Sequence, residues 1–268
     1  MKKRTTPGAS TLGATGTGEA SARASTGALP AAGHPCHPSA AAPAVPEYRI
    51  KRATGPIAID GQVTEPAWKE AGVIQLVDNI TGQKPRQATA VRLLWDDACL
   101  YVAYECEDTD AWSTFTQHDD PLYKEEVVEI FLDPSGLGRI YFELQVSPRN
   151  VSFDSLILND GGRRGEGRGP NFQGVTMWTC HGLQHAVVVR GDPTRRGTQD
   201  EGWTVEMAIP FSQLISAPHI PPVAGDLWRT NIYRIDHALD HSEFTSWSPT
   251  GMHDFHITEA FGRLIFEG

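Results

Sequence analysis

From Tyr48 to the C-terminus the chain repeats one pattern. Short runs in which apolar residues occupy alternate positions are cut by Gly, Pro and Asp. A period of two marks a strand with one buried face, and no other feature limits the possible folds so sharply. The pattern predicts strands near 48–52, 89–95, 100–107, 127–133, 140–147, 185–190, 203–209, 228–235 and 262–266. Helical content is low. The stretch EPAWKEAG (65–72) is the best short helix, and PFSQLI (210–215) is a helical turn entered through Pro210. Many short strands with one or two short helices predict an all-β fold, a two-sheet antiparallel β-sandwich of jelly-roll type. Residues 47–268 form a single domain of ordinary size for that class.

Residues 1–46 differ in texture, being almost entirely Ala, Gly, Ser, Thr and Pro. Such a segment buries too little apolar surface to offset its ordering entropy, so a disordered tail is expected. The basic start MKKR is not followed by an apolar core, so no signal peptide is recognisable. His34, Cys36 and His37 in HPCHP offer metal ligands but say little about function. The formal charge of −10 argues against a nucleic-acid or anionic-membrane partner, and no run is apolar enough to span a bilayer. None of the four cysteines forms a CxxC pair. Cys99 and Cys106 sit on one expected strand, roughly 23 Å apart and beyond disulfide reach, so reduced thiols are expected.

KEEVVEIFLDPSG (124–136) carries a puzzle. Val127, Val128, Ile130, Phe131 and Leu132 read as a core strand, with Glu129 among them. A carboxylate inside a sheet costs several kcal/mol without partners or water. Alternation puts Val128, Ile130 and Leu132 on one face and Val127, Glu129 and Phe131 on the other. In IYFELQVS, Phe142, Leu144 and Val146 oppose Tyr141, Glu143 and Gln145. In GWTVEMAIP, Trp203, Val205, Met207 and Ile209 point inward and Glu206 outward. Glu143 and Glu206 suit a solvated outer face. Glu129, flanked by apolar neighbours on its own face, does not. A face that mixes carboxylate, amide and aromatic groups suits a polyhydroxylated ligand, because acids and amides bind paired hydroxyls and rings stack on sugar C–H faces.

The blocks IAIDGQVTEPAWKEAG, AVRLLWDDACLYVAYECEDTD, VVEIFLDPSG, YFELQVSP, GWTVEMAIPFSQL, GDLWRTNIYRID, SWSPTG and FHITEAFGRLIF follow in order. Together they resemble the family 9 carbohydrate-binding modules, over roughly residues 57–266. The resemblance implies a β-sandwich with a sugar cleft on one face, bound calcium, and a protein of a commonly exported class. The family's two sugar-sandwiching aromatics correspond to Tyr123, five residues before the VEIF-type block, and Phe255, six before the final FG. Its cleft carboxylate corresponds to Glu129. A family arginine is replaced by Gln145, with Glu143 as the alternative register, and family amides correspond to Tyr233 and more loosely Met252. The calcium ligands find no counterpart, and Asp96 and Asp97 read as a turn.

The remaining motifs are weaker. His237 and His241 have helical metal-ligand spacing in a region that reads as a loop. GGRRGEGRG (161–169) lacks a Walker ending and reads as a mobile loop beside the cleft. Trp68, Trp95, Trp203 and Trp228 fit apolar patterns and belong in the core, whereas Trp112 in a polar segment is a candidate cleft residue. Three functions stand open. The first is non-catalytic carbohydrate binding through Tyr123, Phe255 and Glu129. The second is an enzyme on the same sandwich, with Glu129, Glu143 and Glu206 supplying an acid/base pair. The third is a haem electron-transfer domain drawing on Met177, Met207 or Met252 and a histidine.

Overall fold

The computed structural model describes residues 44–268, so the N-terminal segment predicted to be disordered lies almost wholly outside the described residues. Among the described residues, fourteen strands form two face-to-face sheets. They are β1 (Glu47–Arg52), β2 (Ile74–Gln75), β3 (Val77–Asp78), β4 (Thr89–Trp95), β5 (Cys99–Cys106), β6 (Val127–Asp133), β7 (Ile140–Val146), β8 (Ser152–Leu158), β9 (Gln173–Val175), β10 (Gln184–Val189), β11 (Trp203–Pro210), β12 (Leu227–Asp236), β13 (Glu243–Ser246) and β14 (Gly262–Phe266). The first sheet runs β10-β11-β5-β4, and the second runs β14-β12-β6-β7-β8-β9. β1 joins them. Its first four residues pair with β14 and its last two with β4, parallel in both cases. The all-β sandwich is therefore mixed rather than wholly antiparallel. No hairpin ties β1 to either neighbour, so nothing forces it to run antiparallel.

The nine strands read from alternation are present within a residue or two at each end. The five others have no alternating apolar signature. β2 and β3 have two residues each, β9 contains Gly174, β13 is mostly polar, and Asp154 and Ser155 interrupt β8. Both expected helices are single 3-10 turns, at Pro66–Glu70 and Phe211–Gln213. Asp96 makes the turn between β4 and β5, its Oδ1 accepting from the backbone N–H groups of Ala98 (2.7 Å) and Cys99 (2.8 Å). Cys99 and Cys106 stand at opposite ends of β5, and both are free thiols, as is Cys180.

The core lies between the sheets. Val128, Ile130, Leu132, Phe142, Leu144 and Val146 face Val91, Leu93, Val102, Tyr104, Val205 and Met207. Full burial of each such side chain contributes roughly 1.5–3 kcal/mol. One end is closed by aromatic edges: Phe266 packs on Trp228 at 4.8 Å and on Trp95 at 5.1 Å. The other end is closed by charge. Arg234 on β12 reaches across to the first sheet, donating to Asp108 (2.7 Å), the Glu107 carbonyl (2.7 Å) and the Thr89 hydroxyl (3.1 Å), as well as to Asp236 (3.0 Å) beside it. The indole of Trp203 donates to the same Asp108 carboxylate.

Glu206 does point away from the core, as alternation predicts, but it is not solvated. The Pro66–Glu70 turn lays Trp68 over it. One oxygen accepts from the Trp68 indole (2.9 Å), and the other accepts from the N–H groups of Asp60 (3.1 Å) and Gly61 (2.9 Å). Gly61 has φ +83°, and a Cβ there would meet the Val187 backbone at 3.0 Å, so the turn that brings these donors in needs glycine. Glu206 is thus a structural anchor on the first sheet.

Candidate functional site

The outer face of the second sheet is covered as well. Loops fold over it and leave a cleft of about 380 Å³. Register explains its floor. Tyr233, Glu129, Gln145 and Phe153 form one row across β12, β6, β7 and β8, and Asn231, Phe131, Glu143 and Ser155 form the next. Of these, Glu129, Phe131, Glu143, Phe153 and Ser155 line the cleft. Tyr123, from the 3-10 turn Leu122–Lys124, stands at the rim, 46 % exposed, edge-on to Phe153 at 5.8 Å. Phe255 comes from the loop before β14 and stacks on Tyr233 at 4.1 Å, with Phe244 of β13 against it at 6.2 Å.

Both predicted platform residues, Tyr123 and Phe255, therefore line the cleft, together with Glu129 and Glu143. The other expected site residues lie elsewhere. Gln145 is fully buried beneath the floor and donates to Glu143 at 2.5 Å. Tyr233 is buried under Phe255, its hydroxyl donating to the Phe255 carbonyl at 2.8 Å. Both act by holding a lining residue in place. Trp112 is a correction. Its indole donates to the His237 carbonyl (2.9 Å) and its ring lies under the Arg196 guanidinium at 4.3 Å, so it packs away from the cleft lining. A polar sequence context pointed to the surface and could not say which surface.

Several lining residues escaped the sequence. The glycine-arginine tract delivers Arg168, whose Nε and terminal nitrogen each donate at 2.9 Å to Asp254. Its guanidinium also covers Phe172 at 4.4 Å. The cleft thus has an arginine where the strand register offered only Gln145 or Glu143. His256 stacks on Phe131 at 5.0 Å and packs against Phe172 at 4.4 Å. The Tyr141 hydroxyl accepts from Asn159 and hydrogen-bonds with His256 Nδ1 at 2.8 Å, and His256 Nε2 stands 4.0 Å from Glu143. The sequence puts the 161–169 loop beside the cleft, but nothing beyond the residue types Arg, Phe and His hinted at these roles.

Electrostatics set the protonation states. Burial, with the nearby Glu143, pushes the Glu129 carboxyl far above its usual range, and its Oε1 has no hydrogen-bond partner. Burial also raises Glu143 to about 7, against the pull of the Gln145 amide and of Arg168. Burial and Arg168 hold His256 down near 3, so it is neutral at physiological pH. For Asp254, burial acts upward but the two bonds from Arg168 outweigh it, and it stays ionised. The floor is therefore a protonated carboxylic acid beside one poised near neutrality, walled by aromatic rings, with a neutralised Arg–Asp pair at the edge. Such a surface offers acceptors, a donor and apolar faces at once.

The haem alternative finds no methionine at the cleft, and the acid/base alternative narrows to Glu129 and Glu143. Glu206 lies on the first sheet, so it cannot join Glu129 and Glu143. Met177 is 95 % exposed, Met207 is in the inter-sheet core, and none of Met177, Met207 and Met252 lines the cleft. Among the described residues, three side-chain clusters have cation-binding geometry. Asp108, Glu126 and Asp236 surround Arg234, which already supplies the positive charge. The other two each contain a histidine, a nitrogen donor outside calcium's preferred oxygen set. These residues do not fit calcium. His237 and His241 occupy the loop between β12 and β13.

Comparison with known proteins adds the following. The family model described as "Carbohydrate family 9 binding domain-like" matches residues 59–268. A protein of Arthroderma benhamiae described as an extracellular protein is 24 % identical over 221 residues, covering 78 % of this chain and 92 % of its own. A candidate carbohydrate-binding protein of Bacteroides uniformis superposes with a TM-score of 0.67 at 16 % identity, over 84 % of this chain and 100 % of that one. A family 9 carbohydrate binding module of Caldicellulosiruptor kristjanssonii in complex with cellotriose superposes with a TM-score of 0.57 at 17 % identity, over 83 % and 94 %. Its glucose complex gives 0.55. Among the described residues no helix is long and apolar enough to cross a membrane.

Proposed function

Because the chain belongs to the carbohydrate family 9 binding domain-like family, we propose that its cleft holds a short stretch of a carbohydrate chain and does so without catalysis. The observation that carries this is the juxtaposition of exposed Tyr123 and half-covered aromatics with Glu129 and Glu143 on one sheet face. Rings pack on the apolar faces of a sugar, while the two carboxyls take its hydroxyls. About 380 Å³ is at the small end of ligand pockets, which favours the end of an oligosaccharide over a long run of rings. Family membership and the extracellular relative also support export of the protein.

In this reading Tyr123 is the outer platform, Phe255 the inner one, and Glu129 and Glu143 the hydroxyl partners. Arg168 and Asp254 form the polar lip. The test is calorimetric titration with glucose, cellotriose and xylo-oligosaccharides, followed by chromatography of the incubated sugars. Saturable binding that weakens in Tyr123→Ala, with no product formed, is expected. Binding unchanged in Tyr123→Ala and Phe255→Ala would move the site elsewhere, and release of shorter sugars would make the protein an enzyme.

A further inference from the structure

Behind the cleft, on the opposite side of β8, lies a second constellation. His118 Nε2 stands 3.4 Å from Asp119 Oδ1 and 3.8 Å from Asp154 Oδ2. All three ligand atoms fall within 4.8 Å of one another. Donor atoms bound tetrahedrally to a zinc-like ion at about 2.0–2.1 Å lie about 3.3 Å apart, close to the two distances from His118 Nε2.

Two further observations point to a cation. Asp154 is 1 % exposed. Its Oδ1 accepts from the Cys180 N–H at 3.3 Å, while Oδ2 has no donor among the described residues and is aimed at His118. An ionised carboxylate on a side chain this buried calls for a compensating charge beside it. The histidine is also oriented as metal-binding histidines are. His118 Nδ1 sits 3.1 Å from the Ser152 carbonyl, so Nδ1 carries the proton and donates it there. That leaves the Nε2 lone pair facing two carboxylates, an arrangement that calls for positive charge between them. Asp119 Oδ1 is held in place by the Asp154 N–H at 3.4 Å.

We propose that His118, Asp119 and Asp154 form a binding site for a divalent first-row transition ion, zinc above all. One imidazole nitrogen and two carboxylates balance the charge of such an ion and leave a fourth position for water. The site would also clamp the loop before Tyr123 onto β8, whose Phe153 packs against Tyr123. The rival is a second proton on His118, which would satisfy the same carboxylates as an ion pair.

The experiment uses the full chain carrying His34→Ala, Cys36→Ser and His37→Ala, which removes the ligands of the N-terminal HPCHP segment. Zinc alone is titrated in competition with a chromophoric chelator, and cobalt is followed by its visible absorption. One equivalent is expected to bind in this background. His118→Ala and Asp154→Asn are each expected to weaken it at least tenfold. Absence of a bound equivalent, or a weakening of less than tenfold in His118→Ala, would overturn the proposal and leave the protonated histidine. If Asp154→Asn melts lower than its parent, the decision rests on His118→Ala and Asp119→Asn, whose side chains lie nearer solvent.

Discussion

Glu143 makes the cleft floor testable without any ligand. It is 6 % exposed, and burial raises its pKa from 4.5 to about 7, even with the Gln145 amide and Arg168 pulling the other way. The folded protein therefore holds a proton on Glu143 between pH 4.5 and 7, where the unfolded chain has already released it. Stability falls with rising pH wherever the native state binds more protons. The contribution is fully present below pH 4.5 and is lost as the pH passes 7. At about 1.36 kcal/mol per pH unit, an interval of about 2.5 units amounts to about 3 kcal/mol. Glu129 stays protonated across the window, because it is shifted far higher.

Glu143→Gln keeps the shape and the acceptor for Gln145 while removing the titration. The assay is urea unfolding of parent and variant at pH 4.5, 6, 7 and 8, with stability taken by linear extrapolation. The difference between the two proteins should shift by about 3 kcal/mol against the parent from pH 4.5 to 8. Slopes from other groups, such as Asp154, which burial pushes up to about 6, are common to both and cancel. Parallel curves would refute the reasoning. They would mean that Glu143 titrates as an ordinary surface carboxylate and that water reaches the floor freely.

Three further outcomes are expected. Tyr123→Ala should weaken sugar binding by roughly 1–3 kcal/mol without moving the melting temperature, since the ring is exposed, whereas Phe255→Ala should lose binding and up to about 3 kcal/mol of stability, because it is packed on Tyr233; calorimetry paired with thermal melts separates the two. Glu129→Gln should change stability at pH 7 by less than about 1 kcal/mol, since an amide replaces an already protonated acid of the same shape; a loss of about 3 kcal/mol in urea unfolding would mean an ionised, partnered carboxylate. Arg234→Met should cost about 3–5 kcal/mol, measured in the same way, because it strands Asp108 and Asp236 without their buried counter-charge.

Alternation alone determined which side of β6, β7 and β11 each residue faces, because the period of a strand is local and needs no knowledge of neighbours. It put Val128, Ile130 and Leu132 in the core, and the tryptophans of β4, β11 and β12 with them. It also put Glu129, Glu143 and Glu206 on outward faces. What it could not decide is what lies over an outward face. Glu206 and Glu129 both point outward by alternation, yet Trp68 and the Gly61 turn seal the first, while the loops bearing Tyr123, Arg168 and Phe255 form a cleft above the second. Those contacts join residues far apart in sequence, and their geometry depends on sheet pairing and loop paths that no single stretch encodes. The arginine and histidine of the cleft, the seal on Glu206 and the packing of Trp112 against Arg196 follow from tertiary structure alone, because each is fixed by a partner the chain meets only after the sandwich has closed.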